Sequence, residues 1–167
     1  MPGSLFIVAA PSGSGKSTLV NALLAKEPGI SLSISYTSRG PRPGEEDGKH
    51  YHFVTREKFE EMAGEGEFFE YAIVHGDLKG TARQSVEPLL ASGQDVLLEI
   101  DYQGAQRVRA QVPSAVSIFI LPPSRLELER RLRTRAKDTE ATILRRLADS
   151  RKEIAHAWEF DYIVVNE

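Results

Sequence analysis

Leu5-Phe-Ile-Val-Ala-Ala-Pro-Ser-Gly-Ser-Gly-Lys-Ser-Thr-Leu-Val-Asn-Ala-Leu-Leu-Ala-Lys26 decides the fold. The apolar run Leu5–Ala9 reads as a strand, Thr18–Lys26 as a helix, and the turn between them is rich in glycine. Strand, glycine turn and helix in that order are the context a phosphate-binding loop requires. Gly13 and Gly15 let backbone N–H groups turn inward at the positive end of the helix. Pro11, Ser12, Ser14 and Thr18 complete the loop. Lys16 would reach the β- and γ-phosphates of a nucleotide, and the Ser17 hydroxyl would sit on Mg²⁺. Ala10 stands where the pattern G-x-x-x-x-G-K-[ST] opens with glycine, and alanine is the smallest replacement available. A dinucleotide fingerprint fits worse, because the third glycine of G-x-G-x-x-G would fall at Thr18. The stretch reads as a nucleotide phosphate site.

Working outward, the 167 residues suit one domain of ordinary size, and 41% hydrophobic content is enough for a core. The chain has no cysteine, which excludes disulfides and thiolate metal sites. A net charge of −3 argues against broad nucleic-acid binding. The first apolar run is too short for a signal peptide, and no stretch approaches the roughly 20 apolar residues a membrane span needs. The expected compartment is the cytoplasm, with no membrane partner.

After Pro28-Gly29, residues Ile30–Tyr36 alternate apolar and polar, which predicts a strand with Ser31, Ser33 and Ser35 on one face. Thr37–Gly48 is a glycine- and proline-punctuated loop. Tyr51–Val54 predicts a short strand, Arg56–Ala63 a helix and Phe68–Val74 a further strand. Gly76–Gly80 is expected to turn the chain into a helix over Ala82–Ala91. Residues 30–79 thus form a mostly β insertion in a larger domain. Strands at Asp95–Ile100, Val116–Leu121 and Tyr162–Val165 then alternate with helices at Gln103–Gln111, Arg125–Arg135 and Glu140–Trp158. That rhythm implies an α/β fold with a parallel sheet covered on both faces. A further helix is expected after the last strand.

Chemistry is carried by four groups of residues. Arg39 and Arg42, three apart in a proline-flanked turn, suit a phosphate clamp, with Tyr51 as a phenolic donor; two solvated arginines are the plain alternative. Glu70 and Asp101, with Ser35, suit guanine: a carboxylate accepts from N1–H and the exocyclic amine, whereas adenine would leave it unpaired; an ordinary exposed strand face is the plain alternative. Glu99 and Asp101, two apart at a strand's carboxyl end, can hold Mg²⁺ through water or bind the acceptor, and spacing does not separate those roles. The run Arg130–Lys137 with Arg145-Arg146 suits phosphoryl transfer, which needs cations where charge spreads over the moving group; a solvated helix face paired with Glu127 and Glu129 is the alternative. His50 and His52 lack a third metal ligand, and Trp158 is expected in the core.

In order along the chain, Pro11–Thr18, Ser35-Tyr-Thr-Ser-Arg-Gly-Pro-Arg-Pro-Gly44, Gly48-Lys-His-Tyr51, Glu99-Ile-Asp-Tyr-Gln-Gly104 and Ile120-Leu-Pro-Pro-Ser124 resemble bacterial guanylate kinases over essentially the whole chain. The resemblance implies a P-loop nucleoside monophosphate kinase fold that transfers the γ-phosphate of ATP to GMP, and to dGMP, with Mg²⁺. It implies a core of 1–29, 80–124 and 147–167, a GMP-binding subdomain of 30–79 and a helical lid of 125–146. Ser35, Glu70 and Asp101, with Thr81, would hold guanine. Arg39, Arg42 and Tyr51 would hold the GMP phosphate. Arg131, Arg135 and Arg146 of the lid would meet the transferring phosphate, and Asn166 would lie near adenine. Many members carry two tyrosines where Leu78 and Lys79 stand, so Lys79 becomes the candidate donor to the GMP phosphate. A non-catalytic phosphopeptide-binding module is the competing class, and the intact Gly15-Lys16-Ser17 argues against it. Another small kinase acting on AMP or a sugar phosphate is opposed by Glu70 with Asp101.

Overall fold

Every strand of the larger sheet is parallel to its neighbours. The computed structural model describes residues 1–11, 14–135 and 139–167, the side chain of Arg135 excepted. In chain order the elements are β1 (Leu5–Ala9), α1 (Lys16–Lys26), β2 (Ile30–Leu32), β3 (Tyr36–Thr37), β4 (His52–Phe53), α2 (Arg56–Gly64), β5 (Phe68–Val74) and β6 (Asp77–Ala82). Then come α3 (Glu87–Ala91), β7 (Asp95–Glu99), α4 (Tyr102–Gln111), β8 (Val116–Leu121), α5 (Arg125–Arg135), α6 (Glu140–Ile154) and β9 (Tyr162–Val165).

The larger sheet has the order β2-β7-β1-β8-β9, with β1 in the middle. Burial on both faces explains the unbroken apolar reading of its central strands. Val96, Leu97 and Leu98 of β7 are almost wholly buried. Val96 and Leu98 face a core shared with Val108 of α4, and Leu97 faces a second core shared with Val20 of α1. From β1 the chain leaves toward β2 on one side, while β8 and β9 lie on the other. The crevice beyond the carboxyl end of β1 is therefore where such sheets bind ligands.

The smaller sheet runs β4-β3-β6-β5 and encloses its own core of Phe59, Met62, Phe68, Leu78 and Ala82. Strand β6 corrects the sequence reading, which gave Gly76–Gly80 to a turn leading into a helix. His75 (φ 51°) and Gly76 (φ 86°) are the two central residues of the hairpin turn, and left-handed backbone at both is what a two-residue type I′ connection needs. Gly80 sits inside β6 because a Cβ there would lie 2.9 Å from both the Glu70 carbonyl oxygen and Tyr71 Cβ. Beyond β6 the chain makes a 3₁₀ turn, Arg83–Ser85, and enters the short α3. The predicted strand Ile30–Tyr36 is divided: residues 30–32 join one sheet and 36–37 the other. Helix α6 ends at Ile154, and Trp158, expected in the core, is 78% exposed on a 3₁₀ turn.

A bulge in β5 separates the pairs Phe68↔Ala82 and Glu70↔Thr81. Phe68 enters the smaller core and Phe69 the larger one. The free edge of β5 is covered by α4, where Arg107 Nη1 donates to the Tyr71 carbonyl at 2.6 Å and Gln111 Nε2 to the Phe69 carbonyl at 2.6 Å. Capping of this kind blunts an exposed strand edge. No helix among the described residues is long and apolar enough to cross a membrane.

Candidate active site

At the end of β1 the chain turns through Pro11 and Ser14 into Gly15, which caps α1 with φ 78°. Glycine is required there twice over, because a Cβ would also lie 2.4 Å from Asn166 Nδ2. Asn166 Nδ2 donates to the Ser14 carbonyl at 2.8 Å, and the Ser14 hydroxyl donates to the Pro11 carbonyl at 2.7 Å. The residue after β9 is thus stitched to the glycine loop. Ser12, Gly13 and the Arg135 side chain lie outside the described residues.

Lys16, Ser17 and Thr18 open into a cleft of about 940 Å³. Its other walls are the hairpin tip Ile73–His75, residues Asp101–Gln103 at the start of α4, and α6 from Arg145 to Glu153. Burial pushes the Lys16 ammonium below its ordinary range, and Lys79 adds to that, while Glu99, Glu153 and Asp101 oppose it. An ammonium so desolvated is poised to gain from incoming phosphate. Glu153, which the sequence did not single out, has its carboxyl pushed up to about 7 by burial and by Asp101, against the pull of Lys16.

Glu70 lies on β5 beside Thr81 of β6, and the buried Thr81 hydroxyl donates to Glu70 Oε1 at 2.8 Å. The bulge sets this pairing. Burial raises the Glu70 pKa, the Thr81 bond lowers it, and Asp101 raises it further. Asp101 caps α4, its Oδ1 accepting from the Gly104 N–H at 2.7 Å. Ser35 lies between the two sheets, its carbonyl accepting from the His52 N–H at 2.8 Å.

Arg39 is gripped by Glu45 in a forked pair, Nη1–Oε1 at 2.6 Å and Nη2–Oε2 at 2.9 Å. Glu45 also accepts from the Arg42 N–H at 2.8 Å, so one carboxylate organises the arginine loop. The Arg39 hydrogen bonds hold its carboxyl down to about 2. The guanidinium lies 4.9 Å from the Tyr51 ring centre and Lys79 Nζ 5.4 Å from it, which gathers three predicted residues in one place. Arg42 is exposed. Glu45 was missed because an acid in an arginine-rich loop reads as solvated charge.

On α5, Arg131 Nε donates to Glu127 at 3.0 Å, and Arg133 bridges Glu129 and Glu140. Arg145 and Arg146 line the cleft instead. His50 Nδ1 accepts from the Glu46 N–H at 2.9 Å, and the His52 ring lies against Tyr36.

A family model described as guanylate kinase matches residues 3–167. The chain belongs to the guanylate kinase family. It is 63% identical over 167 residues to the guanylate kinase of Xanthomonas oryzae pv. oryzae, covering all of this chain and 82% of that one. It is 60% identical, with the same coverage, to the guanylate kinase of Xylella fastidiosa. The crystal structure of guanylate kinase from Anaplasma phagocytophilum superposes with a TM-score of 0.76 at 36% identity, over 99% of this chain and 78% of that one. Guanylate kinases are phosphotransferases whose reaction is phosphorylation of GMP by ATP, and membership makes this chain an enzyme of that class with nucleotide substrates.

Proposed function

We propose that the chain divides GMP phosphorylation between a donor half at Lys16–Thr18 and an acceptor half on the smaller sheet. One observation supports the reading most: Asp101 belongs to both halves. It lines the cleft that holds Lys16, and its Oδ1 and Glu70 Oε2 would lie 3.3 and 3.1 Å from a Cβ placed on Gly104. Guanine would place N1–H and its 2-amino group on these two carboxylates, with Thr81 and Ser35 beside them. Arg39, Arg42, Tyr51 and Lys79 would hold the GMP phosphate. ATP would lay its phosphates along residues 11–18, with Asn166 near adenine.

Transfer passes through a loose transition state with charge on the equatorial oxygens, so catalysis is positioning plus cations rather than base chemistry. Lys16 and Arg146, both on the cleft, would supply that charge, with Arg131 and Arg135 arriving as the lid of 125–146 closes over the core of 1–29, 80–124 and 147–167. Bound Mg²⁺ would neutralise the β- and γ-phosphate oxygens. The Ser17 hydroxyl opens on the same cleft and would hold it, joined through water by one strand-end carboxylate, Glu99 or else Asp101. Among the described residues no three His, Cys, Asp or Glu side chains gather as a metal group.

The test is ADP release measured across GMP, dGMP, AMP, CMP, UMP and IMP for the native chain and for Glu70→Gln. GMP and dGMP should lead in the native chain, and the preference for GMP over IMP should collapse in the variant. An unchanged preference in folded Glu70→Gln would remove guanine from Glu70.

A further inference from the structure

Gly104 is the third residue of α4, and nothing in its own backbone asks for glycine. It lies within a regular helix, is buried, and its φ lies outside the left-handed region. Alanine forms helices better than glycine, and a buried methyl group ordinarily adds stability. What glycine supplies here is room for two acids. A Cβ at 104 would lie 3.1 Å from Glu70 Oε2, 3.3 Å from Glu70 Cδ and 3.3 Å from Asp101 Oδ1. Glu70 cannot retreat freely, because its other oxygen accepts from the buried Thr81 hydroxyl at 2.8 Å. Asp101 is held as well, by the Gly104 N–H at 2.7 Å.

We propose that Gly104 is a specificity-positioning residue: its missing side chain sets where the Glu70 and Asp101 carboxylates stand, and so how well guanine is told from purines lacking the 2-amino group. The inference rests on the assignment of those two acids to guanine. Gly104 has no side chain to offer guanine. It acts by leaving the Glu70 carboxylate seated on the first turn of α4, between a helix N-terminus and a threonine hydroxyl.

The experiment compares the native chain, Gly104→Ala, Glu70→Gln, Glu70→Asp and the double variant Gly104→Ala/Glu70→Asp. The readouts are kcat/KM for GMP and for IMP, KM for ATP, and the thermal midpoint. Gly104→Ala should lower kcat/KM for GMP about tenfold, as expected for a displaced binding group, with a matching fall in the GMP-to-IMP ratio. Its KM for ATP should stay within about twofold, since the phosphate loop is a separate unit. Aspartate withdraws the carboxylate by one methylene, so adding Gly104→Ala to Glu70→Asp should change the GMP-to-IMP ratio by less than about twofold. A native ratio in Gly104→Ala, alongside a collapsed ratio in Glu70→Gln, overturns the role of Gly104 and leaves the guanine assignment standing. Native ratios in both variants overturn the assignment itself. A melting temperature lowered by Gly104→Ala and not restored by Glu70→Asp also overturns the inference, because the crowding would then lie elsewhere.

Discussion

Thr81→Val swaps a buried hydroxyl for a methyl group of nearly the same shape and removes the donor that Glu70 Oε1 meets at 2.8 Å. A hydrogen bond to a charged group contributes about 1.5–3 kcal/mol. The bond is present before any ligand arrives, so most of that loss falls on folding. GMP affinity loses only preorganisation, about tenfold in kcat/KM or about 1.4 kcal/mol. Glu70 also makes the effect depend on pH. Burial raises its pKa in the folded chain above its ordinary value, so between those two values the folded state binds more protons than the unfolded one. Stability from this group therefore falls as pH rises through that window. The Thr81 bond favours the ionised form and limits the fall. Removing it pushes the folded pKa higher still, so Thr81→Val should look close to native near pH 4.5 and distinctly weaker at pH 8, about 1.5–3 kcal/mol by urea unfolding. Equal destabilisation at both pH values would refute this account, because a packing defect carries no proton dependence. An unchanged kcat/KM for GMP would separate Glu70 from the base.

Lys16→Ala should cut kcat by about 100-fold or more while KM for GMP moves by no more than a few-fold, since in the proposed role the ammonium would act on transferring charge; equal losses in both would contradict that role. Glu45→Gln should raise KM for GMP with KM for ATP unchanged, by loosening Arg39 and Arg42 together. Its acid limb is also fixed: a folded pKa of about 2 means that whatever stability Glu45 contributes is present above its ordinary value and is lost only as pH falls toward 2. Unfolding curves of native and Glu45→Gln chains at pH 3 and pH 6 check this, and a gap that widens at the lower pH would contradict it. Lys79→Met should weaken GMP several-fold and flatten the dependence of KM on salt, since a point charge on phosphate is screened by ions; an unaltered salt dependence would take Lys79 off the phosphate.

The larger sheet could be read from the sequence because its central strands are buried on both faces and its loop–helix junction carries a backbone-demanding motif, but the expected cover on both faces fails at β9, where all four residues are exposed. Less of the smaller sheet was visible. Strand β6 reads Asp77-Leu-Lys-Gly-Thr-Ala82, where a charged residue and a glycine hide an extended run, although Gly80 is there for close strand packing. The alternation over Ile30–Tyr36 is real, but period alone does not say that a chain changes sheets midway. Among the candidate site residues, Arg39, Glu70 and Asp101 stood out by type and place. Glu45 and Gly104 did not, since the first is defined by a partner six residues away in a loop and the second by an absent atom.

The two phenylalanines at the start of β5 have a mechanical consequence. Phe69 is rooted in the large core and Phe68 in the small one, and α4 grips the same strand through Arg107 and Gln111. In any tilt of the smaller sheet, strand β5 would therefore be the fulcrum and β4 the end of the lever arm. At about 4.8 Å per strand, β4 stands about 14 Å from that pivot, so a tilt of about 10° would carry it about 2.5 Å and β5 scarcely at all. Glu70 sits at the fulcrum, while Tyr51 and Arg39 ride toward the far end. A swing of the arm would thus leave Glu70, proposed here for guanine, in place and bring Arg39 and Tyr51, proposed for the phosphate, in afterwards.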